Sequence, residues 1–384
     1  VFENLNAGCV TKISVDNGSG KYETVWNKKE FWNPPIYKMT LSTDRSYYFK
    51  RKRRKVHEAP SVFNPGIVYA ILDQAVANVV ALKVEFNFGL KPGQKQIDAI
   101  GISDSEVPIE AKINTKPVFE GLSKPETIDF GELRASDPVV SFDGQKLFFT
   151  EETYEKELVF SCSKNANGEW VHPVEESPAL NQNENYNFIL AHQPGFILKG
   201  GNSFKQGTGE SGFEFLDSNS QPIELLKITA FNNYDDNCSA TITNDQKTVV
   251  LGIESDFTQG GTDLYFSKKK ADGTYGLLQN MGKIINSAAD EGSPYLLSDQ
   301  KTLLFISNGF SSYGDYDLYV SYRQDESWKN WSEPINLGSK VNSSDFEGSP
   351  FYDEKTETLY YTKWINDKPT ISFVKIPIND LTRN

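Results

Sequence analysis

The chain has 384 residues, which is too long for one ordinary hydrophobic core and suggests two domains. Aromatic residues make up 13% of it, Gly residues number 28 and Met residues only 2, a balance that favours strands and tight turns over helices. The net charge of -13 argues against a nucleic-acid-binding surface, because neutralising phosphates requires a basic face.

Three cysteines, Cys9, Cys162 and Cys238, lie far apart and form no Cys-x-x-Cys pair. Neither a disulfide framework nor a zinc site is therefore indicated, although one bridge stays open. Cys9 follows Ala7 and Gly8 as a lipid-modified cysteine would, but the residues before it are no apolar leader, so we interpret it as an ordinary strand cysteine. No apolar run approaches membrane-spanning length.

Residues 1 to 110 predict a small β-sandwich. VTKISVDNGSGKYETVWN (10–27) is typical of two strands around a turn, and VVALKVEFNF (79–88) and QKQIDAIGISD (94–104) are typical of two more. The stretch QIDAIGISD, with the first strand pair, resembles the discoidin-like, galactose-binding-type sandwiches of bacterial surface proteins. Only the later strands of that domain match, so we expect a partial sandwich and carry no ligand site over from the family.

Residues 31 to 61 are predicted to be an insertion in that sandwich. They contain six successive basic residues at positions 50 to 55. Such a run could bind an acidic partner, a phosphate-bearing lipid or a polysaccharide, with a solvated loop as the alternative. The candidate partner-binding residues in it are Lys50, Arg51, Arg53 and Arg54.

From about residue 116 onward the sequence repeats itself. An apolar triplet that follows an Asp-containing turn recurs every 49 to 56 residues, beginning at Leu147, Phe196, Val249, Leu303 and Leu359. A period of this length is typical of stacked repeat folds. Five units are the simplest count, and a sixth is left open because the second unit was located by spacing more than by motif.

Each unit contains the pattern of four antiparallel strands. The third strand recurs as GTDLYFSKKK (261–270) and DYDLYVSYRQ (315–324), and a Trp-containing return such as WSEPINLG (331–338) follows. A four-stranded unit of this kind is a propeller blade, which needs its neighbours to cover both faces. Residues 124 to 138 are similar to a return segment but precede the first unit, so we expect an amino-terminal outer strand to close the ring.

The stretch 293–350, with SPYLLSDQKTLLFIS at its start and VNSSDFEGSP at its end, resembles the TolB-type β-propeller repeat of bacterial envelope proteins. The resemblance covers about residues 116 to 384. It implies a five-bladed propeller, and together with the partial sandwich predicted before it we expect an all-β chain. It also implies an extracytoplasmic protein, in the periplasm or at the outer membrane or cell surface, and we expect this protein to dock other envelope proteins on its propeller and sandwich within a larger assembly.

No catalytic motif accompanies this fold. The sequence has no His-Glu-x-x-His, no Gly-x-Ser-x-Gly and no Gly-rich phosphate loop, so we expect a non-enzymatic scaffold or recognition protein without metal or cofactor. The alternative is a carbohydrate-binding protein or a propeller glycosidase, which would need two carboxylates facing a pocket.

Several acids precede the predicted innermost strands and would gather at one mouth of the axial channel. There they would attract a basic peptide or a cation. The alternative is structural, since carboxylates also cap such turns by accepting backbone N–H bonds. The candidate partner-binding acids are Asp137, Asp236, Asp290, Glu291, Asp345 and Glu347.

Overall fold

A computed structural model describes residues 2–3, 10–27, 72, 74–87, 99–100, 113–153, 156–202, 208–235, 238–287 and 289–382. The chain divides into two compact units, Val1–Lys112 and Ile113–Asn384. The predicted basic residues Lys50, Arg51, Arg53 and Arg54, and the predicted acid Asp236, lie outside the described residues. In the described part of the chain, no helix has the length and hydrophobicity needed to cross a membrane.

The described residues of the first unit form two sheets. Its strands are β1 (Phe2–Glu3), β2 (Val10–Asp16), β3 (Glu23–Asn27), β4 (Ala81–Phe86) and β5 (Ala99–Ile100). Strand β2 lies between β3 and β4, antiparallel to both, while β1 pairs with β5. The strands predicted at 10–27 and 79–88 are thus confirmed. A discoidin-like sandwich stays a prediction.

The second unit begins with the helix α1 (Pro117–Glu120) and the strand β6 (Glu126–Thr127). The first two sheets that follow contain β7 (Ala135–Val140), β8 (Lys146–Glu152), β9 (Glu157–Lys164) and β10 (Trp170–Glu175), then β11 (Phe188–Gln193), β12 (Phe196–Gly200), β13 (Glu210–Leu216) and β14 (Pro222–Thr229). The third contains β15 (Ser239–Ile242), β16 (Thr248–Ile253), β17 (Asp263–Lys268) and β19 (Gln279–Asn280), while β18 (Tyr275–Leu277) adds to the second.

The last two sheets have the same design. The fourth contains β20 (Glu291–Leu296), β21 (Thr302–Ser307), β22 (Asp317–Tyr322) and β23 (Ile335–Asn336). The helix α2 (Gly338–Val341) leads to the fifth, which contains β24 (Glu347–Asp353), β25 (Thr358–Ile365) and β26 (Lys368–Lys375), and α3 (Ile378–Leu381) follows.

The first strands of the five sheets contact one another in a closed order. Strand β7 contacts β11, β11 contacts β15, β15 contacts β20, β20 contacts β24, and β24 contacts β7. Sheets whose innermost strands surround a common axis are the blades of a β-propeller. The all-β fold is therefore confirmed, and the five sheets of the described residues are consistent with the five predicted units. We number these sheets as blades 1 to 5.

The apolar triplets form the joints between blades. In blade 4 the middle residue, Leu304, packs with Leu359 and Tyr361 of blade 5, and the equivalent Tyr360 of blade 5 packs with Leu147 and Phe149 of blade 1. Each second strand thus presents alternate residues to the two neighbouring blades, as the two-residue period of a strand requires.

Blade 2 differs from this pattern by one residue. Its middle residue Ile197 packs with Phe148 of blade 1, while Phe196 and Leu198 face blade 3. The cause is a tight turn, in which Gln193 pairs directly with Phe196. A shift of one residue turns every side chain to the other face of the sheet. The predicted triplet of blade 2 therefore lies in the second strand as expected, but its side chains face the opposite neighbouring blades from those of the other triplets.

An amino-terminal strand closes the ring. Strand β6 pairs with β26 through Thr127 and Ser372, so it is the outermost strand of blade 5. The segment before it also joins blade 4, because the Asn336 N–H donates to the Asn114 carbonyl at 2.7 Å. Phe119 of α1 is fully buried in the core between blades 4 and 5. The ring is therefore fastened by residues from both ends of the second unit.

Candidate functional site

The mouth of the propeller is the end at which the innermost strands begin and the second strands finish. The innermost strands of blades 1, 4 and 5 share a bulge there, in which one residue before a proline has a positive φ. These residues are Asp137 at 50°, Ser293 at 45° and Ser349 at 45°. A non-glycine residue in this region is uncommon, and its recurrence in three blades identifies it as a feature of the repeat.

Asp137 is held at the joint between blades 5 and 1. The Ser349 hydroxyl donates to Asp137 Oδ1 at 2.5 Å, and the Asp137 N–H donates to Thr362 Oγ1 at 3.0 Å. The side chain is half-buried. Of the predicted acids that the structure describes, Asp137 is the one that lies at the bulge itself.

Two further acids of blade 1, which the sequence interpretation missed, lie beside Asp137. Glu152 ends β8 and pairs directly with Glu157 at the start of β9. Burial raises the pKa of Glu152 to about 7, a bond from the Ser136 hydroxyl opposes that rise, and the charge of Asp137 adds to it. Burial, with Asp137 and Glu152 nearby, raises the pKa of Glu157 well above its usual range. We call Asp137, Glu152 and Glu157 the blade 1 acid cluster.

The predicted acids Glu291 and Glu347 are fully buried. Glu291 accepts bonds from the Ser287 N–H at 2.7 Å, the Ser287 hydroxyl at 2.6 Å and the Ser307 hydroxyl at 2.7 Å. Burial raises its pKa to about 8. These bonds hold the loop before β20 against the blade, which is the capping role that was the structural alternative.

Glu347 has the equivalent place in blade 5 with one difference. It accepts the Ser343 N–H at 2.8 Å, and Lys363 Nζ lies 2.9 Å from its Oε1. Burial raises the pKa of Glu347, and the charge of Lys363 opposes that rise. As in blade 4, the carboxylate is enclosed and engaged in internal bonds, and it is not presented at the mouth.

The remaining predicted acids are more accessible. Asp290 is half-buried, its Oδ1 accepts the Thr262 N–H at 2.9 Å, and its Oδ2 accepts the Tyr316 hydroxyl at 3.0 Å. Asp345 is exposed. The structure thus separates acids that were alike in sequence into enclosed and accessible ones, and their role in partner binding stays a prediction.

Two aromatic side chains stand out from the mouth at blade 3. Phe257 is 75% exposed in the loop after β16, and Tyr234 is 52% exposed in the loop before β15. Glu157 of the blade 1 acid cluster lies within electrostatic range of Cys238, just before β15, because the thiol pKa of Cys238 is raised to about 12 by burial and by the charges of Asp235 and Glu157. Acids from blade 1 and from the loop before blade 3 therefore approach the same point.

The described residues contain no group of three or more His, Cys, Asp and Glu side chains placed to hold a metal ion. The mouth is chemically a polar, acidic surface with exposed aromatic rings at one side. Such a surface can bind a cationic or aromatic group, and its protonatable Glu152 can exchange a proton near neutral pH.

No protein-family model matches the chain, and no curated protein matches it. Solved structures with a similar fold include TolB from Acinetobacter baumannii, at 10% identity and a TM-score of 0.38, over 64% of this chain and 55% of that one. The chain thus spans about half the length of this TolB.

Two other similar structures come from different kinds of protein. The endo-arabinase from Bacteroides thetaiotaomicron matches at 18% identity and a TM-score of 0.43, over 67% of this chain and 99% of that one. The β-propeller domain of the Trilobed protease from Pyrococcus furiosus matches at 14% identity and a TM-score of 0.32, over 62% of this chain and 66% of that one. At these TM-scores the likenesses carry no argument about activity, and the propeller assignment rests on the sheets described above.

Proposed function

We propose that this chain is a non-enzymatic scaffold or recognition protein of the bacterial cell envelope that docks a partner protein at the mouth of its propeller. The observation that carries the proposal is the pair of exposed aromatic side chains, Tyr234 and Phe257, on the accessible part of the mouth. Aromatic side chains on a surface are typical anchors of protein interfaces. The two enclosed acids, Glu291 and Glu347, have structural bonds that explain them without a ligand.

The envelope location and the larger assembly rest on the resemblance of residues 116 to 384 to TolB-type repeats. In this proposal the chain acts outside the cytoplasm, in the periplasm or at the outer membrane or cell surface, beside other envelope proteins. A net charge of -13 disfavours nucleic acid and anionic lipid as its main ligands.

The test is affinity capture from the native envelope with the whole chain as bait, followed by binding of the purified captured protein at a defined stoichiometry. Reproducible capture of the same complex, with a silent glycan array, would support the scaffold. If the array showed specific glycan binding and no envelope protein bound in the purified system, the proposal would be wrong.

The second candidate is a carbohydrate-active protein, and the blade 1 acid cluster favours it. A glycosidase needs one protonated and one ionised carboxyl group on either side of the bond that it cleaves. A pKa of about 7 keeps a large share of Glu152 protonated at neutral pH beside the Asp137 carboxyl group. Hydrolysis of a glycan that Glu152→Gln abolishes, while the variant keeps its melting temperature, would establish this candidate in place of the scaffold.

A further inference from the structure

The loop segments 230–235 and 254–262 at the mouth form one surface, which we call the aromatic rim. Its rings, Phe257 and Tyr234, are among the exposed large side chains of the described residues, and Phe257 at 75% is more exposed than the others. A phenylalanine ring left in water costs about 1.5–3 kcal/mol relative to a buried one. An exposed ring of this kind is either part of a binding surface or an incidental surface residue.

The aromatic rim is held in place by hydrogen bonds between its two loops. The Tyr234 N–H donates to the Glu254 carbonyl at 2.9 Å, and the Tyr234 hydroxyl donates to Asp256 Oδ1 at 2.5 Å. The Phe257 carbonyl accepts Asn280 Nδ2 at 3.2 Å. Because both loops are tied to each other and to blade 3, the Tyr234 ring and the backbone of Phe257 are in place before any ligand arrives, which lowers the entropic cost of binding.

The charged residues of the same two segments are all acidic. They are Asp235, Glu254 and Asp256, and neither segment contains a Lys, Arg or His residue. Asp256 is exposed next to Phe257. The carboxylates repel phosphate groups and anionic lipid surfaces, and they attract cations. Aromatic faces also attract cations, most strongly a guanidinium group, which can stack on a ring while it bonds to a carboxylate.

We propose that the aromatic rim binds a basic segment of the partner protein, with an arginine or lysine side chain of that segment stacked on Phe257 and paired with Asp256. The proposal rests on the docking function proposed above and names the chemistry of the docked segment. The opposite charges of the acidic rim and of the basic segment also raise the rate at which the two associate.

The test measures binding of a fluorescent octapeptide with four arginines alternating with glycine to the whole chain, by anisotropy at 0.05 and 0.15 M salt. We expect Phe257→Ala to weaken binding by about fivefold, the range of one cation–π contact. Asp256→Asn should weaken it by about threefold at the lower salt and less at the higher one. Both positions are exposed, so the variants should keep the melting temperature.

Controls come from the opposite end of the propeller. Phe142 is 48% exposed in the turn after β7, with Lys355 Nζ 3.9 Å from its ring centroid, and Asp272 is an exposed acid in the turn before β18, 3.5 Å from Lys270 Nζ. A lysine of this chain thus already occupies the cation position at both controls. Phe142→Ala and Asp272→Asn should leave peptide binding within twofold of the original chain. Equal weakening by the controls would mean general attraction to an acidic protein, and the proposal would fall.

Two further results would also overturn the proposal. One is no measurable binding of the arginine peptide at either salt concentration. The other is a neutral oligosaccharide whose binding is lost in Phe257→Ala while peptide binding is unchanged. If the envelope partner is captured equally by the original chain and by the Phe257→Ala and Asp256→Asn variants, the docking function stands and this assignment of its surface fails.

Discussion

Replacing Lys199 by methionine should stabilise the second unit at neutral pH. Lys199 lies in β12 with no exposed surface, and its Nζ has no hydrogen-bond partner among the described residues. Burial lowers its pKa, and the charge of Glu214, its direct neighbour in β13, opposes that change. Methionine has a similar length and no charge, so Lys199→Met removes the unsatisfied ammonium and keeps most of the volume.

Two opposing effects set the size of the change. A buried amine or ammonium without its hydrogen bonds costs about 1–3 kcal/mol. Attraction to Glu214 offsets part of this cost, but the Lys199 ammonium and the Glu214 carboxylate form no hydrogen bond. Glu214 Oε2 already accepts hydrogen bonds from Gln182 Nε2 at 3.3 Å and from Asn202 Nδ2 at 3.2 Å. Because the pKa of Lys199 is lowered on balance, burial outweighs attraction. We expect a gain of about 1–2 kcal/mol at pH 7, or about 2–6 °C in melting temperature.

The gain should depend on pH in one direction. Because the folded-state pKa of Lys199 is below its unfolded value of about 10.4, the unfolded chain binds more protons between these values. The stability contributed by this lysine therefore rises with pH toward about 10.4, whereas methionine contributes no such slope. The advantage of Lys199→Met should shrink between pH 7 and pH 10.

Urea denaturation at pH 7, 8.5 and 9.5 measures this directly, with Lys247→Met as the control at a lysine that is 78% exposed. The control should stay within about 0.5 kcal/mol of the original chain. A loss of stability in Lys199→Met at pH 7, or a gain that grows with pH, would refute the reasoning and indicate that attraction to Glu214 dominates.

Three further substitutions test the joints of the propeller by denaturation. Glu347→Gln should cost about 2 kcal/mol at pH 7, because it leaves Lys363 without its carboxylate; an unchanged midpoint would mean that the ion pair adds nothing. Glu291 has a pKa of about 8, so its contribution is greatest below about pH 4.5 and falls as the pH rises to about 8. The free energy of unfolding of Glu291→Gln should therefore increase relative to that of the original chain between pH 5 and pH 9. A difference between the two free energies that does not change with pH would contradict the burial argument. Phe119→Ala should cost about 3–5 kcal/mol, because a fully buried phenyl ring is lost. The control Val174→Ala, at an exposed position, should cost less than about 0.5 kcal/mol. Equal effects would mean that α1 does not fasten the propeller.

The sequence alone determined the repeating design of the second unit. Turn residues and the two-residue alternation of strands act locally, so they recur visibly in every blade, and the spacing of the apolar triplets led to the number of sheets. The return-like segment 124–138 also pointed to an outer strand ahead of blade 1, and β6 lies there in blade 5. Local signals of this kind survive in sequence because each unit repeats them.

Only the tertiary structure decided which side chains are available at the mouth. Glu291 and Glu347 resemble Asp290 and Asp345 in sequence, but serines of the preceding loops enclose the two glutamates. Glu152 and Glu157 become a cluster with Asp137 because separate strands meet there.

The aromatic residues show the same limit. Phe257 and Phe310 occupy equivalent loops of neighbouring blades, yet Phe310 packs on Phe305 and Tyr319, in the core cluster that also contains Val250 of blade 3, while Phe257 stands in solvent. Burial depends on residues brought together from distant parts of the chain, and no local pattern records those neighbours. The repeat therefore determined the fold, and contacts made in the folded chain decided which side chains stay exposed at the mouth.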